Sequence, residues 1–209
     1  MRLDAIETYY DTVPRAAGTA EEVGPFTLFL AEQGTGWQFY ARPRLGADAT
    51  FTPDDVRRVL ARQAELRVPQ AIEWVDEMTW SLLPAVVEAG FEAGRYPLLA
   101  LPEDVTVGEP TQPTRVLAPD DADLALSIGA VGAAFDGADE FEPGSLGRRP
   151  DLIAAGALIV VAAYDDRGRV VGGGSASPRG ETAELMGIGV PTGHRNLGVG
   201  TAVTGALVQ

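Results

Sequence analysis

Cysteine and lysine are both absent from the sequence, and histidine occurs once, at position 194. The first absence rules out disulfides, thiolate metal sites and cysteine nucleophiles, and it fits a reducing compartment. The second rules out a phosphate loop of the Gly-x-x-x-x-Gly-Lys type, because no ammonium can reach the phosphates. One histidine cannot build an imidazole cluster; carboxylates alone could still hold a hard cation, and no metal site is expected. Long apolar runs are missing too. The longest, Ala157 to Tyr164, falls far short of the roughly 20 residues that a bilayer span needs. The N-terminal stretch MRLDAIETYYDTVPR lacks the apolar segment of a signal peptide. A cytoplasmic protein is the expectation.

What is present describes an ordinary globular chain: 209 residues, 45% hydrophobic and 22% charged, enough for one sizeable core or two small ones. Thirty acids face sixteen arginines, for a net charge of −14. Such a surface repels nucleic-acid phosphates and anionic membranes, so neither is expected as a partner. A cationic small molecule or amine is more welcome, although the same charge also serves solubility.

Residues 102–113, PEDVTVGEPTQP, combine prolines and acids with no apolar periodicity and are predicted to link two parts. In the first, Pro25 to Ala31 and Trp37 to Ala41 suit strands, with Glu32 to Gly36 as their hairpin loop. Thr52 as N-cap, Pro53 at the first helical position and then Asp54 and Asp55 open a helix carrying Val56, Val59, Leu60, Gln63 and Leu66 at helical spacing. A strand over 71–75, a helix over 81–89 and a closing strand over 96–101 complete a β-β-α-β-α-β order. Trp37, Trp74 and Trp80 are expected in the core. The second part reads as a strand at 114–117, helices from Pro119 towards Phe135 and over 146–155, and three sequential antiparallel strands at 158–164, 170–177 and 182–190. A glycine-rich loop then leads into a last helix.

That loop carries the chemistry. In Arg195-Asn196-Leu197-Gly198-Val199-Gly200, small residues let the backbone turn tightly and approach a ligand. The N–H groups at the helix start point outward together, with the positive end of the helix dipole behind them, which suits a phosphate. A chain at −14 cannot attract an anion by its overall field, so local backbone donors and Arg195 must do so. A dinucleotide fingerprint does not fit, since no third glycine follows at the right place. Gly173-Gly174-Ser175-Ala176-Ser177 lacks the final glycine of a nucleophile elbow and stands between strands.

Arg195-x-x-Gly198-x-Gly200, placed between a strand and a helix, resembles the pyrophosphate-binding pattern of the GCN5-related N-acetyltransferase (GNAT) family, and the β-α-α-β-β-β order before it is also the family's. The resemblance covers residues 114–209. It implies a mixed α/β fold of the acyl-CoA N-acyltransferase type, with a mostly antiparallel central sheet flanked by helices. It implies acetyl-CoA as co-substrate, with backbone groups of Ile188, Gly189 and Val190 along the pantetheine arm and N–H groups from Asn196 to Thr201 on the pyrophosphate. The activity implied is direct acetyl transfer to an amine, a small molecule or a peptide. By the same resemblance the acidic loop with Asp136, Asp139 and Glu140 would line the acceptor pocket, or else is an ordinary solvated loop. Glu184 shares a face with Met186, Ile188 and Val190 on simple strand alternation. A carboxylate among apolar neighbours suits a general base, and a glutamate here resembles the base position of some family members. A bulge in this strand would reverse the facing, and a glutamate at an exposed strand start is the plainer alternative. His194, beside Arg195, is expected to be exposed or near the coenzyme.

The family's fold continues beyond the motif helix, whereas this sequence stops within it. A truncated chain, a silent acyl-CoA-binding or interaction module, and completion of the sheet by the first part are the three readings. Residues 71–101, with Gly90-Phe91, resemble the end of a GNAT unit, and Arg42 to Asp54 lacks the phosphate pattern. The expected architecture is therefore a tandem one: a degenerate GNAT-like domain over 1–101, the linker, and an acetyl-CoA-binding domain over 114–209.

Overall fold

The computed structural model of the protein describes residues 3–31, 40–101, 108 and 110–209, which divide between two compact units, Met1–Glu103 and Asp104–Gln209. The expected hairpin loop at 32–36, Trp37 and most of the 102–113 stretch lie outside the described residues.

In the first unit, α1 (Leu3–Arg15) precedes an antiparallel sheet of β1 (Gly18–Val23), β2 (Phe26–Ala31) and β3 (Ala41–Pro43), followed by α2 (Pro53–Leu66) and α3 (Leu82–Glu88). The start of α2 is as the sequence suggests. Thr52 accepts from the Asp55 N–H at 3.3 Å, and the Thr52 N–H donates to Asp55 Oδ2 at 3.1 Å. This reciprocal cap contributes about 1 kcal/mol. The helix then buries Val56, Val59 and Leu60 against Phe26, Leu28, Phe51 and Leu82.

Four expectations for this unit are corrected. Helix α1 and strand β1 were not anticipated; α1 turns Tyr9 inward, and Gly24-Pro25 forms a two-residue turn that pairs Val23 with Phe26. The 71–75 strand reduces to one parallel bridge, Ala41 to Ile72. Gln63 takes both backbone groups of Ala71, and the Val75 N–H turns to the Glu7 carboxylate instead of a ladder. No strand forms over 96–101. Tyr96 is 89% and Leu99 91% exposed, and without a ladder partner among the described residues the β-favouring run stays irregular. Trp74 packs on the core as expected, but Trp80 is 76% exposed.

The second unit follows the expected order closely. Strand β4 (Thr114–Val116), α4 (Leu124–Asp136), α5 (Arg149–Ala154), β5 (Ile159–Tyr164), β6 (Val170–Arg179), β7 (Thr182–Gly189) and α6 (Val199–Val208) build a four-stranded antiparallel sheet in the order β4-β5-β6-β7. Helices α4 and α6 cover opposite faces. The central strand permits this through Gly172, Gly173 and Gly174. A Cβ on Gly173 would overlap Ser127 Oγ of α4, and one on Gly174 would lie 2.8 Å from Val203 of α6. Small residues in the middle strand let both helices approach the sheet backbone.

Strand β7 carries one extra residue. Gly173 pairs with Gly189 and Ser175 with Met186, so Gly187 and Ile188 together oppose Gly174. Gly187 has φ +57, as a bulge of this kind requires. The parity therefore changes, and the alternation expected for Glu184 is corrected. Glu184 shares its face with Met186 and Gly189, where Gly189 meets Val131 and Ala134 of α4. Ile188 and Val190 pack instead in the apolar cluster of Val199, Val203 and Leu207 under α6.

Candidate functional site

Beyond Gly189 the chain makes a short 3-10 turn at Thr192–His194 and enters α6 at Val199. Asn196 (φ 61) and Gly198 (φ 82) are both left-handed, and no side chain caps the helix start. The first N–H groups of α6 have no carbonyl one turn back to bond, so those of Val199, Gly200 and Thr201 stand as a cluster of donors at the positive helix end. Gly198 is the N-cap, and its carbonyl accepts from the Ala202 N–H at 2.9 Å. A Cβ there would lie 2.7 Å from Thr111 Oγ1, so the left-handed conformation and the close approach of 111–112 both demand glycine. Gln112 Nε2 donates to the Leu197 carbonyl at 3.0 Å on the same side.

Arg195 does something the sequence did not suggest. Its Nε donates to the Val190 carbonyl at 3.0 Å and its Nη2 to the Ala134 carbonyl at 2.9 Å. The guanidinium thus ties the end of β7 to an unpaired carbonyl in the last turn of α4. Its contacts fix the backbone that carries the donors.

The acidic loop separates by position. Asp136 and Glu140 are exposed. Asp139, although exposed, accepts from the Gly193 N–H and so faces the glycine-rich loop. Glu184 is half-buried on the α4 side of β7, opposite the buried Ser177. A cavity of about 380 Å³ opens beside the loop, lined among others by Gln112, Arg167, Arg169, His194, Leu197 and Val199. At its rim the Asp165 carboxyl is held down to about 2 by the Arg169 N–H, then by the Arg169 guanidinium and the Arg167 N–H. The Thr111 and Gln112 contacts were missed by sequence reasoning, since nothing in a proline-rich linker marks two of its residues as loop supports. Among the described residues no group of three or more acids and histidines could hold a metal, and no helix is long and apolar enough to cross a membrane.

An antiparallel sheet with a bulged strand, left by way of a glycine-rich turn into a helix with open N–H groups, defines the acyl-CoA N-acyltransferase class of fold. Residues 133–209 match the model of the Acetyltransferase (GNAT) family. A GCN5-related N-acetyltransferase from Kribbella flavida superposes with a TM-score of 0.75 over 99% of this chain and 79% of its own, at 22% identity. At that identity the likeness establishes the fold. The glucosamine N-acetyltransferase region of a fungal multidomain β-N-acetylglucosaminidase is also similar, with 20% identity, a TM-score of 0.33, and coverage of 77% of this chain and 22% of its own. No curated protein matches the sequence.

Proposed function

We propose that the protein is a cytoplasmic N-acetyltransferase of tandem GNAT-like architecture whose second unit binds acetyl-CoA and passes the acetyl group directly to an amine. The reading rests above all on the loop between β7 and α6, where a family-type motif coincides with uncapped helix N–H groups. The pyrophosphate would sit on the N–H groups from Asn196 to Thr201, where the helix dipole favours negative charge. The pantetheine arm would run along the backbone of Ile188, Gly189 and Val190. Gly189 and Glu184 pair with Gly173 and Ser177, which stand four residues apart on the unbulged β6, roughly 13 Å at about 3.3 Å per residue. An arm of pantetheine length brings the thioester to that neighbourhood.

Glu184 would there take a proton from the acceptor ammonium. The freed nitrogen attacks the thioester carbonyl, the tetrahedral adduct collapses with cleavage of the C–S bond, and coenzyme A leaves as a thiolate that takes up the proton the new amide nitrogen sheds. The acceptor is an amine, small or peptidic, drawn by the chain's negative charge and by the exposed Asp136 and Glu140. The first unit, lacking the motif, would be a degenerate GNAT-like domain over 1–101, joined through 102–113.

Calorimetry with acetyl-CoA tests the site, using Gly198→Glu as the control, and coenzyme A release over a panel of amines tests the activity. Glu184→Gln should lower turnover and leave acetyl-CoA affinity unchanged; undiminished turnover would remove Glu184 as the base. The alternative reading is a silent acyl-CoA-binding or interaction module. Binding of acetyl-CoA with no coenzyme A release for any amine would select it.

A further inference from the structure

Four hydrogen bonds fasten the glycine-rich loop to the end of α4 and the segment behind it. Arg195 Nη2 donates to the Ala134 carbonyl at 2.9 Å, the Thr192 N–H to the Ala138 carbonyl at 3.4 Å, and Thr192 Oγ1 to the Gly137 carbonyl at 3.3 Å. The fourth joins the Gly193 N–H to the Asp139 carboxylate. Three of the acceptors are backbone carbonyls that any sequence would supply. Asp139 is the only side-chain acceptor in the set, and its carboxylate holds the turn immediately before the motif. Gly137 (φ 73) ends α4 in a left-handed cap, with the Ala138 N–H returning to the Ala133 carbonyl at 2.8 Å, so the start of the 138–139 segment is itself fixed.

We propose that Asp139 is a positioning residue for the coenzyme loop and not a ligand of the acceptor amine. The proposal rests on the reading of that loop as the coenzyme site. Residues Thr192 and Gly193 lead directly into Arg195 to Thr201, whose N–H groups must converge on one anion. The loop has two left-handed residues, Asn196 and Gly198, and converges only if both ends are held. Gln112 holds its later part, with Thr111 close beside Gly198, and Asp139 with the α4 carbonyls holds its entry. The acid that a charge-based reading assigns to the acceptor thus works on the other substrate, through geometry and not through charge.

Asp139→Asn and Asp139→Ala separate the two roles, because asparagine keeps the acceptor oxygen and loses the charge. Amide hydrogen exchange on the unliganded protein and calorimetry with acetyl-CoA are the measurements. Asp139→Ala should speed exchange over 192–201 by about tenfold, leave β5 and β6 unchanged, and weaken acetyl-CoA by about tenfold, the upper end of what one uncharged hydrogen bond is worth. Asp139→Asn should stay within about twofold of the parent in both. Equal effects of the two variants on the KM for the amine, with unchanged exchange, would overturn the proposal, as would faster exchange spread evenly over the unit. If the parent itself fails to bind acetyl-CoA, the coenzyme reading falls with it; unchanged loop exchange would separately deny Asp139 any hold on the loop.

Discussion

Replacing Gly198 by alanine adds one methyl group at the point where the loop becomes a helix. Two costs arise, and they can be separated. The φ of +82 is a left-handed conformation that disfavours any Cβ by about 1 kcal/mol. The methyl would also lie 2.7 Å from Thr111 Oγ1, a contact that must be relieved, and such overpacking costs about 1–3 kcal/mol. An unliganded loop relieves both by leaving its conformation, so acetyl-CoA must restore it, and the cost appears in the dissociation constant. Together the two costs come to about 2–4 kcal/mol, and at about 1.4 kcal/mol per tenfold Gly198→Ala should weaken acetyl-CoA by about 30- to 700-fold in calorimetry. Adding Thr111→Ala removes the offending oxygen; the next atom, Thr111 Cβ, is at an ordinary 3.8 Å. The double variant should recover to about fivefold weaker than the parent, leaving the backbone cost alone. Equal affinity of the single and double variants would show that Thr111 is not what excludes the side chain. Parental affinity in Gly198→Ala would refute the coenzyme site in this loop.

Two further outcomes test the packing around the site. Gly129 lies inside α4, where glycine to alanine ordinarily gains about 1 kcal/mol; here the Cβ would overlap the Glu142 carbonyl oxygen and lie 3.2 Å from the Gly144 nitrogen. Gly129→Ala should instead destabilise the protein by about 1–3 kcal/mol in urea denaturation, and a gain would refute the close approach. Asp165, held down to about 2 from 3.8, favours the folded state in its ionised form. Its contribution is present above 3.8 and is lost as pH falls through about 2. Asp165→Asn should flatten the fall of the denaturation midpoint in that window; an unchanged acid slope would remove the linkage.

The second unit was legible because its elements announce themselves locally. Asp165-Asp166-Arg167-Gly168 and Pro178-Arg179-Gly180 punctuate three apolar runs that pair with their sequence neighbours, and a motif with fixed spacing marks the loop. The first unit was less so. Gly24-Pro25 was a readable turn signal, and Tyr9 with Val13 hinted at a helical period, but the polar stretch Thr19 to Glu22 hides β1 because only its partner β2 is buried. The runs at 71–75 and 96–101 have the composition of strands. What decides them is whether a ladder partner is present, a non-local fact that no propensity contains. Asp139 and Arg195 show the same limit at the site: their charge was visible, while the carbonyl or N–H each one engages depends on how the end of α4 meets the loop.

The bulge in β7 resolves a conflict built into the sequence. With plain alternation, Ile188 and Val190 would stand on the same face as Glu184. Either the cluster under α6 would then lose two apolar residues, or the carboxylate would be driven in among Val199, Val203 and Leu207. One extra residue at Gly187 lets Glu184 face α4 beside Ser177 while Ile188 and Val190 stay in the α6 cluster. The device depends on a left-handed residue, and the space around it is sufficient: a Cβ on Gly187 would lie 3.7 Å from Val131 and 4.0 Å from Ser175. Gly187→Ala therefore isolates the backbone cost, about 1 kcal/mol, which chemical denaturation can resolve. Because the strain lies two residues before Gly189, it should also weaken acetyl-CoA, though by less than Gly198→Ala does. A variant as stable as the parent would mean that the bulge tolerates a side chain. The glycine would then no longer explain why the base candidate and the core residues occupy opposite faces.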